Sequence, residues 1–166
     1  KNGHYLIADG NNHRAIEVDR SNNVVKVFTA SGTLGVCGFA SRLPNGNTLL
    51  TDSTNDRVIE VDTNDEIVWQ YITDAEAKSM SNPIPTRAVR LDDGDTLIAD
   101  QFNNRVIRTN YTIVIDSYGL PVTGVTVPGT TLISTNKGFS PLTTQLGLYA
   151  PASVNMVGDY TGIRDY

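Results

Sequence analysis

Short runs of hydrophobic and β-branched residues, each closed by a polar turn, recur along most of the chain. The clearest example is residues 47–62, NTLLTDSTNDRVIEVD, and related stretches occur at 4–19 (HYLIADGNNHRAIEVD) and 95–110 (DTLIADQFNNRVIRTN). Such runs, bounded by Gly, Asn or Asp, are typical of antiparallel β-strands. The pattern therefore predicts an all-β chain that is built from three similar repeats.

Each repeat is predicted to contain up to four strands. In the first copy they fall at 5–8, 14–18 and 24–28. In the second they fall at 40–43, 49–51, 57–61 and 67–71, and in the third at 88–91, 96–99, 105–108 and 113–115. The strands carry apolar residues on both faces, which indicates sheets packed between two neighbouring sheets. Residues 74–79, DAEAKS, are the one stretch with a helical pattern, about a turn and a half long.

The repeats align on two polar positions. Asp9, Asp52 and Asp100 hold one place, and Arg14, Arg57 and Arg105 hold another. A repeat of roughly 40–50 residues that is rich in short strands is typical of a β-propeller blade. We therefore expect a single domain, 1–166, of four-stranded antiparallel blades, with repeats at about 3–28, 40–72 and 87–118.

Two stretches lie outside these repeats. Residues 119–149 are a Thr- and Gly-rich excursion, either a hairpin or a degenerate blade, in which GTTLIS at 129–134 resembles NTLLT. Residues 150–158, APASVNMVG, resemble 85–91, PTRAVRL, so 153–157 is a candidate closing strand that pairs with the N-terminal repeat. Three blades are fewer than a propeller normally needs. The ring is therefore expected to close by pairing of its terminal strands, by self-association of two copies, or with sequence outside this chain.

Composition limits the classes of function. The formal net charge of −5, with 13 Lys and Arg that do not cluster, disfavours a nucleic-acid partner. No apolar run approaches the roughly 18 residues of a membrane span. The chain opens inside a repeat, so we expect it to be part of a longer protein. The abundance of Asn, Asp, Thr and Gly favours an extracellular or cell-surface location.

The motif D-x-x-N-x-R at 52–57 resembles the NHL-repeat type of β-propeller, and 9–14 and 100–105 repeat it. The resemblance covers about 3–118 and implies a propeller that serves as a binding scaffold, a lyase, a hydrolase or a surface protein. NGNTLLTDSTNDRVIEVD and EIVWQY also resemble arylsulfotransferase-like repeats. That activity implies a catalytic His with supporting His and Arg residues, and no matching motif occurs here.

The repeated Asp and Arg residues are predicted to be structural: the Asp accepts backbone hydrogen bonds of the turn, the Asn takes the left-handed conformation, and the Arg joins strands or blades. A ring of carboxylates that holds calcium is the alternative. Arg42 and Arg90 are predicted either to line the axial channel and hold an anion or to make structural pairs. His4 and His13 occupy polar turn positions and are expected to face solvent, and Cys37 is expected to be a passive thiol.

Asn110 begins an N-x-T sequon and is a candidate glycosylation site. No catalytic residue, metal or other cofactor is predicted. The favoured hypothesis is a non-enzymatic module for protein binding or self-assembly, as a dimer, a head-to-tail assembly or a filament subunit. The alternatives are a fragment of a propeller enzyme of the arylsulfotransferase or lyase kind, and a sugar- or anion-binding surface domain.

Overall fold

The computed structural model describes residues 3–73, 82–109, 131–135 and 151–154. Their strands form three antiparallel sheets. Sheet 1 contains β1 (Tyr5–Asp9), β2 (Arg14–Val18) and β3 (Val24–Phe28). Sheet 2 contains β4 (Cys37–Arg42), β5 (Thr48–Asp52), β6 (Arg57–Val61) and β7 (Ile67–Ile72). Sheet 3 contains β8 (Pro85–Arg90), β9 (Thr96–Asp100), β10 (Arg105–Thr109) and β11 (Thr131–Thr135).

Within each sheet, strands that follow one another in sequence are hydrogen-bonded neighbours, as predicted for propeller blades. The predicted strand positions are confirmed for sheets 1 and 2 to within a few residues. The first strands of sheets 2 and 3 start earlier than predicted, at Cys37 and Pro85. Their extra residues pair with the ends of β5 and β9 across a bulge, so pairing overrides the poor strand propensity of glycine and proline.

The fourth strand of sheet 3 differs from the prediction. The repeat pattern predicts that 113–115 pairs with β10, but the neighbour of β10 is β11, which comes from the stretch assigned to the Thr- and Gly-rich excursion. The prediction from the repeat spacing assumes that the next strand of the sheet follows β10 after a short turn, whereas β11 begins only at Thr131. Residues 113–115, the 74–79 helical stretch and Asn110 lie outside the described residues.

A hydrophobic cluster lies between each pair of neighbouring sheets and is built from residues of both. Sheet 1 contributes Ala15 and Phe28 from one face, and sheet 2 packs Leu50, Ile59 and Val61 against them. The opposite face of sheet 2 then packs against sheet 3; this second cluster consists of Leu43, Leu49, Val58, Trp69, Tyr71, Ala88, Ile98 and Ile107. The aromatic residues Phe28, Trp69 and Tyr71 are all buried in these two clusters. Both faces of sheet 2 are therefore buried, which explains its weak alternation of polar and apolar residues.

Residues 151–154 lie against sheet 3. The Thr86 hydroxyl donates a hydrogen bond to the carbonyl oxygen of Ala152 at 3.0 Å, and Val154 packs on a cluster of Val89, Leu91 and Leu97. This short segment is not a strand in the described residues, and closure of a ring is not seen in them. In the same ranges, no helix has the length and apolar character that crossing a membrane requires.

Candidate functional site

The Asp–Asn–Arg motif has the same geometry in all three sheets. Arg57 Nε donates to Asp52 Oδ2 at 2.7 Å, and Asn55 Nδ2 donates to the same carboxylate at 2.9 Å. The equivalent arginine bonds are Arg14 to Asp9 and Arg105 to Asp100. Because each Asp ends one strand and each Arg begins the next, the ion pair closes the turn between them.

Two details of this turn differ from the prediction. The left-handed residue is not the motif Asn but the residue after it: His13, Asp56 and Asn104 have φ of 54°, 53° and 53°. The Asn instead donates its side-chain amide to the Asp. The backbone N–H of Gly35, which donates to Asp52 Oδ1 at 2.8 Å, belongs to the loop after sheet 1 rather than to the turn. The motif therefore ties one sheet to the previous one.

The arginine makes the same connection. Arg105 Nη2 donates to the carbonyl oxygen of Thr73, just after sheet 2, at 2.7 Å. Arg57 Nη2 reaches the hydroxyl of Thr33, in the loop after sheet 1, at 3.2 Å. Arg14 has no described preceding sheet to contact. The exposed fraction of the arginine side chain falls along the chain, from 38% for Arg14 through 16% for Arg57 to 2% for Arg105.

Burial changes the electrostatics of the motif between its first and last copies. Hydrogen bonding by Arg14 lowers the pKa of the half-buried Asp9 carboxyl below its ordinary value. Burial raises the pKa of Asp100 to about 6, even though Arg105 and Asn103 both donate to its Oδ2 atom. Desolvation outweighs the ion pair at Asp100 because its Oδ1 atom is buried without a hydrogen-bond donor.

Arg42 and Arg90, predicted either to hold an anion in the axial channel or to make structural pairs, hold equivalent places on β4 and β8. Arg42 Nη2 donates to Glu17 Oε2 at 2.6 Å, and Arg90 Nη2 donates to Glu60 Oε2 at 2.9 Å. In each case the arginine comes from the first strand of one sheet, and the glutamate comes from the previous sheet, from β2 for Glu17 and from the equivalent strand β6 for Glu60. Both guanidinium groups thus form intersheet ion pairs, and each also lies over an aromatic ring, Phe28 for Arg42 and Trp69 for Arg90.

Each glutamate has a second partner within its own sheet. His4 Nδ1 lies 2.7 Å from Glu17 Oε1, and Asn47 Nδ2, at the place equivalent to His4, donates to Glu60 Oε1 at 2.6 Å. His4 is therefore half-buried and bonded rather than solvent-facing, whereas His13 is exposed as expected. In sheet 3 the charges are reversed: Arg108 replaces the glutamate, and its Nε donates to Asp95 Oδ2 at 2.6 Å.

A cavity of about 350 Å³ lies between sheets 2 and 3, next to their first turns. Its lining includes Arg42, Arg90, Glu60 and Asp92 together with Phe39 and Leu91. The two arginines are balanced by these carboxylates and by Glu17, so the cavity carries no excess positive charge. Its chemistry suits a polar, uncharged ligand better than an anion.

The outer face of sheet 1, which consists of Tyr5, Ile7, Ile16 and Val27, has no sheet packed on it in the described residues. Ile7, opposite Ile16 in the strand register, is 42% exposed, and Tyr5 is 60% exposed. The equivalent residues Leu50 and Ile98 are 0% exposed because sheets 1 and 2 cover them. The equivalent apolar position is therefore buried in sheets 2 and 3 and exposed in sheet 1.

The strand β1 is also an open edge. In sheets 2 and 3 the second strand pairs with a first strand, β4 or β8, whereas β1 pairs only with β2 among the described residues. An unpaired row of backbone N–H and C=O groups is a template for a further strand. The open edge and the open apolar face together form the candidate binding surface of this molecule.

Within the described ranges, the reactive side chains do not gather into a catalytic group. Cys37 is buried, and desolvation raises the pKa of its thiol to about 12, which fits a passive thiol. No group of three His, Cys, Asp or Glu side chains in the described residues is placed to hold a metal ion. The repeated aspartates lie in separate turns, each with its own arginine.

Sequence reasoning missed three residues of the intersheet contacts. Glu17 and Glu60 occupy equivalent places in their repeats, as Arg42 and Arg90 do, and this parallel spacing is the signal that could have found them. Asp65 accepts hydrogen bonds from the backbone N–H groups of Thr29, Ala30 and Ser31, which binds the turn of sheet 2 to the loop after sheet 1. No repeated signal marks Asp65, since the equivalent residue in sheet 1 is Asn22.

No protein-family model and no curated protein matches this sequence. Solved structures do match. One is a streptogramin B lyase structure, with a TM-score of 0.53 and 14% identity over 74% of this chain and 39% of that chain. Another is an inactive virginiamycin B lyase from Staphylococcus aureus with quinupristin, with a TM-score of 0.52 and 15% identity over 78% of this chain and 39% of that chain.

A third similar structure is a protein of unknown function from Bacteroides caccae, with a TM-score of 0.53 and 15% identity over 74% of this chain and 45% of that chain. At these identities the similarity shows the fold alone. The class is therefore a propeller-like all-β fold of antiparallel sheets with three or four strands each, as expected from the repeats. This chain spans less than half the length of each of these three structures.

Proposed function

We propose that this chain is a non-enzymatic propeller-type module that binds protein, including copies of itself, through the open face and edge of sheet 1. The observation that carries the proposal is the contrast between Ile7, which is 42% exposed, and its equivalents Leu50 and Ile98, which are fully buried by a neighbouring sheet. An apolar sheet face beside an unpaired strand edge favours association with another β-sheet.

The non-enzymatic assignment is supported by what the candidate residues do. Arg57 and Arg105 of the repeated motif and both Arg42 and Arg90 are engaged in intersheet contacts, so their presence is explained by assembly of the sheets. The lyase activity belongs to the similar structures. The NHL-type repeat and an extracellular or cell-surface location remain part of this proposal, supported by the motif spacing and by the composition.

The test is the solution mass of the chain by light scattering behind a sizing column. We expect a mass above the 18.0 kDa of one chain, and we expect Ile7→Lys to return it to that value because the lysine places a charge on the apolar face. Ser21→Lys, on an exposed turn of the same sheet, is the matched control for added charge. A wild-type chain that stays monomeric as its concentration is raised would contradict self-assembly.

A second candidate function is sugar binding in the cavity between sheets 2 and 3. The cavity combines hydrogen-bonding groups of balanced charge with the Phe39 ring, a lining that suits a neutral polyhydroxyl ligand. Titration of neutral monosaccharides and of sulfate, followed by NMR shifts, separates the two ligand classes. Saturable sugar binding that Arg90→Ala abolishes would support the candidate. Binding of sulfate alone would instead favour the anion hypothesis.

A further inference from the structure

Residues 151–154 hold the position of a first strand that follows sheet 3. Val154 packs with Leu91 and Leu97, and Ala88 of β8 packs in the same way with Leu43 and Leu49, the equivalent residues of sheet 2. The repeat alignment of 150–158 with 85–91 places Val154 and Ala88 at the same position. The contact pattern and the sequence pattern thus agree independently on this placement.

A hydrogen bond between the Thr86 side chain and the backbone of this segment supports the same alignment. The Thr86 hydroxyl donates to the carbonyl oxygen of Ala152, which joins the start of β8 to the start of this segment. At the previous junction, a Cβ placed on Gly38 would lie 3.5 Å from the carbonyl oxygen of Thr86. Positions 38, 86 and 152, which are equivalent in the repeat alignment, therefore follow one another at the same place in successive sheets.

The charges at the junction change in a matching way. Glu17 and Glu60 each receive an arginine from the following first strand, but sheet 3 has Arg108 at that place. The aligned sequence after Pro151 has Met156 where β8 has Arg90, so the alignment puts no second arginine opposite Arg108. At the junction that follows sheet 3, Arg108 therefore suits a first strand without an arginine, such as the one aligned at 151–157.

We propose that the segment beginning at Pro151 of a second copy of this chain supplies the first strand to β1, and that the sheet 3 beside it covers the outer face of sheet 1. This inference rests on the proposed function and names its partner. Sheet 1 offers an open edge at β1, and residues 151–154 offer the start of a first strand. Each copy would give its segment to β1 of the other copy, so that two such contacts join two copies into a ring of six sheets. Six sheets lie within the usual range for propellers.

The strand register of the other sheets fixes which residues meet. Ala40 lies opposite Leu50 and Ala88 lies opposite Ile98. Since Val154 is equivalent to the alanines and Ile7 to their partners, Val154 of one copy lies opposite Ile7 of the other. Arg14 then faces the partner's sheet 3, as Arg57 and Arg105 face the sheets that precede them.

Disulfide formation between two different single-cysteine variants tests this register directly. Ile7→Cys and Val154→Cys are mixed at high concentration and oxidised, and we expect a disulfide-linked pair of twice the 18.0 kDa chain mass that contains one of each variant. Cys37 does not interfere because its thiol is buried. Ser21→Cys mixed with Val154→Cys is the control and is expected to give no such pair.

Each other outcome identifies what failed. Ile7→Cys that cross-links efficiently to itself would show two outer faces packed on each other, which overturns this partner arrangement but keeps the proposed function. A chain carrying both cysteines that cross-links internally as a monomer would place the strand in the same copy and overturn the exchange. Association that depends on Ile7 without any Ile7–Val154 disulfide would also overturn it. Loss of association altogether would be a failure of the proposed function itself.

Discussion

The three copies of the Asp–Arg pair allow one perturbation to be repeated at three degrees of burial. Replacing the arginine by alanine leaves the aspartate without its cation. For Arg105→Ala the side chains involved are 2% and 0% exposed, and breaking such a buried pair costs about 3–5 kcal/mol of unfolding free energy. The loss also removes the hydrogen bond to the carbonyl oxygen of Thr73.

The other two sites are internal controls. Arg57 is 16% exposed beside a fully buried Asp52, so Arg57→Ala is expected to cost less than Arg105→Ala. Arg14 is 38% exposed and water reaches Asp9, so Arg14→Ala is expected to cause little measurable loss in the monomer. The same geometry thus predicts three unequal effects in a fixed order.

The assay is urea unfolding followed by far-UV circular dichroism, with the fluorescence of Trp69 as a second probe of sheet 2. For Arg105→Ala the loss is expected to be smaller at pH 5 than at pH 7. The pKa of Asp100 is already raised to about 6 by burial, so at pH 5 the carboxyl is neutral and needs no cation. Equal losses for all three variants, or a larger loss at pH 5, would refute the burial argument.

The folded pKa of Asp100 lies above its ordinary value of 3.8, so its contribution lowers the unfolding free energy as pH rises from about 4 to 6, by at most about 3 kcal/mol. Asp100→Asn should remove this pH dependence when urea unfolding is measured at several pH values. An unchanged pH dependence would contradict the assignment to Asp100. Gly10→Ala should destabilise the fold by about 1–3 kcal/mol because its Cβ would lie 2.8 Å from the carbonyl oxygen of Cys37, whereas Ser21→Ala on an exposed turn should leave the unfolding midpoint unchanged. Cys37 should react with a maleimide at pH 8 only after denaturant is added, since burial raises the pKa of its thiol to about 12; rapid labelling of the native protein would disprove this.

The repeat and its strands could be predicted because their signals are local. Runs such as Arg57–Val61 are β-branched and bounded by turn residues, and their structure agrees with the pattern. The start of β4 at Cys37 could not be predicted in the same way, because Gly38 has low strand propensity and pairing with β5 decides its conformation. The pairing of β11 with β10 was missed for a related reason: it joins residues far apart in sequence, and repeat spacing carries no information about that distance.

The candidate surface is partly predictable from the amino-acid sequence. The resemblance of residues 150–158 to 85–91 predicts a further first strand after the third repeat. The exposure of Ile7 cannot be read from its residue type, because Leu50 and Ile98 are equally apolar and fully buried. The intersheet pairs of Arg42 and Arg90 are likewise hidden in the sequence, since their partners Glu17 and Glu60 belong to the preceding repeat.

The one-sided packing of sheet 1 has a consequence for cooperativity. In an array where each unit contacts only its neighbours, stability is close to a sum of unit and interface terms. Sheet 2 has an interface on each face, whereas in the described residues sheet 1 has one, with sheet 2. Backbone amides of β1–β3 should therefore exchange with deuterium through local openings, earlier than those of β5 and β6. A partner on the outer face of sheet 1 would add the missing interface term, so binding would be seen as slower exchange in that sheet.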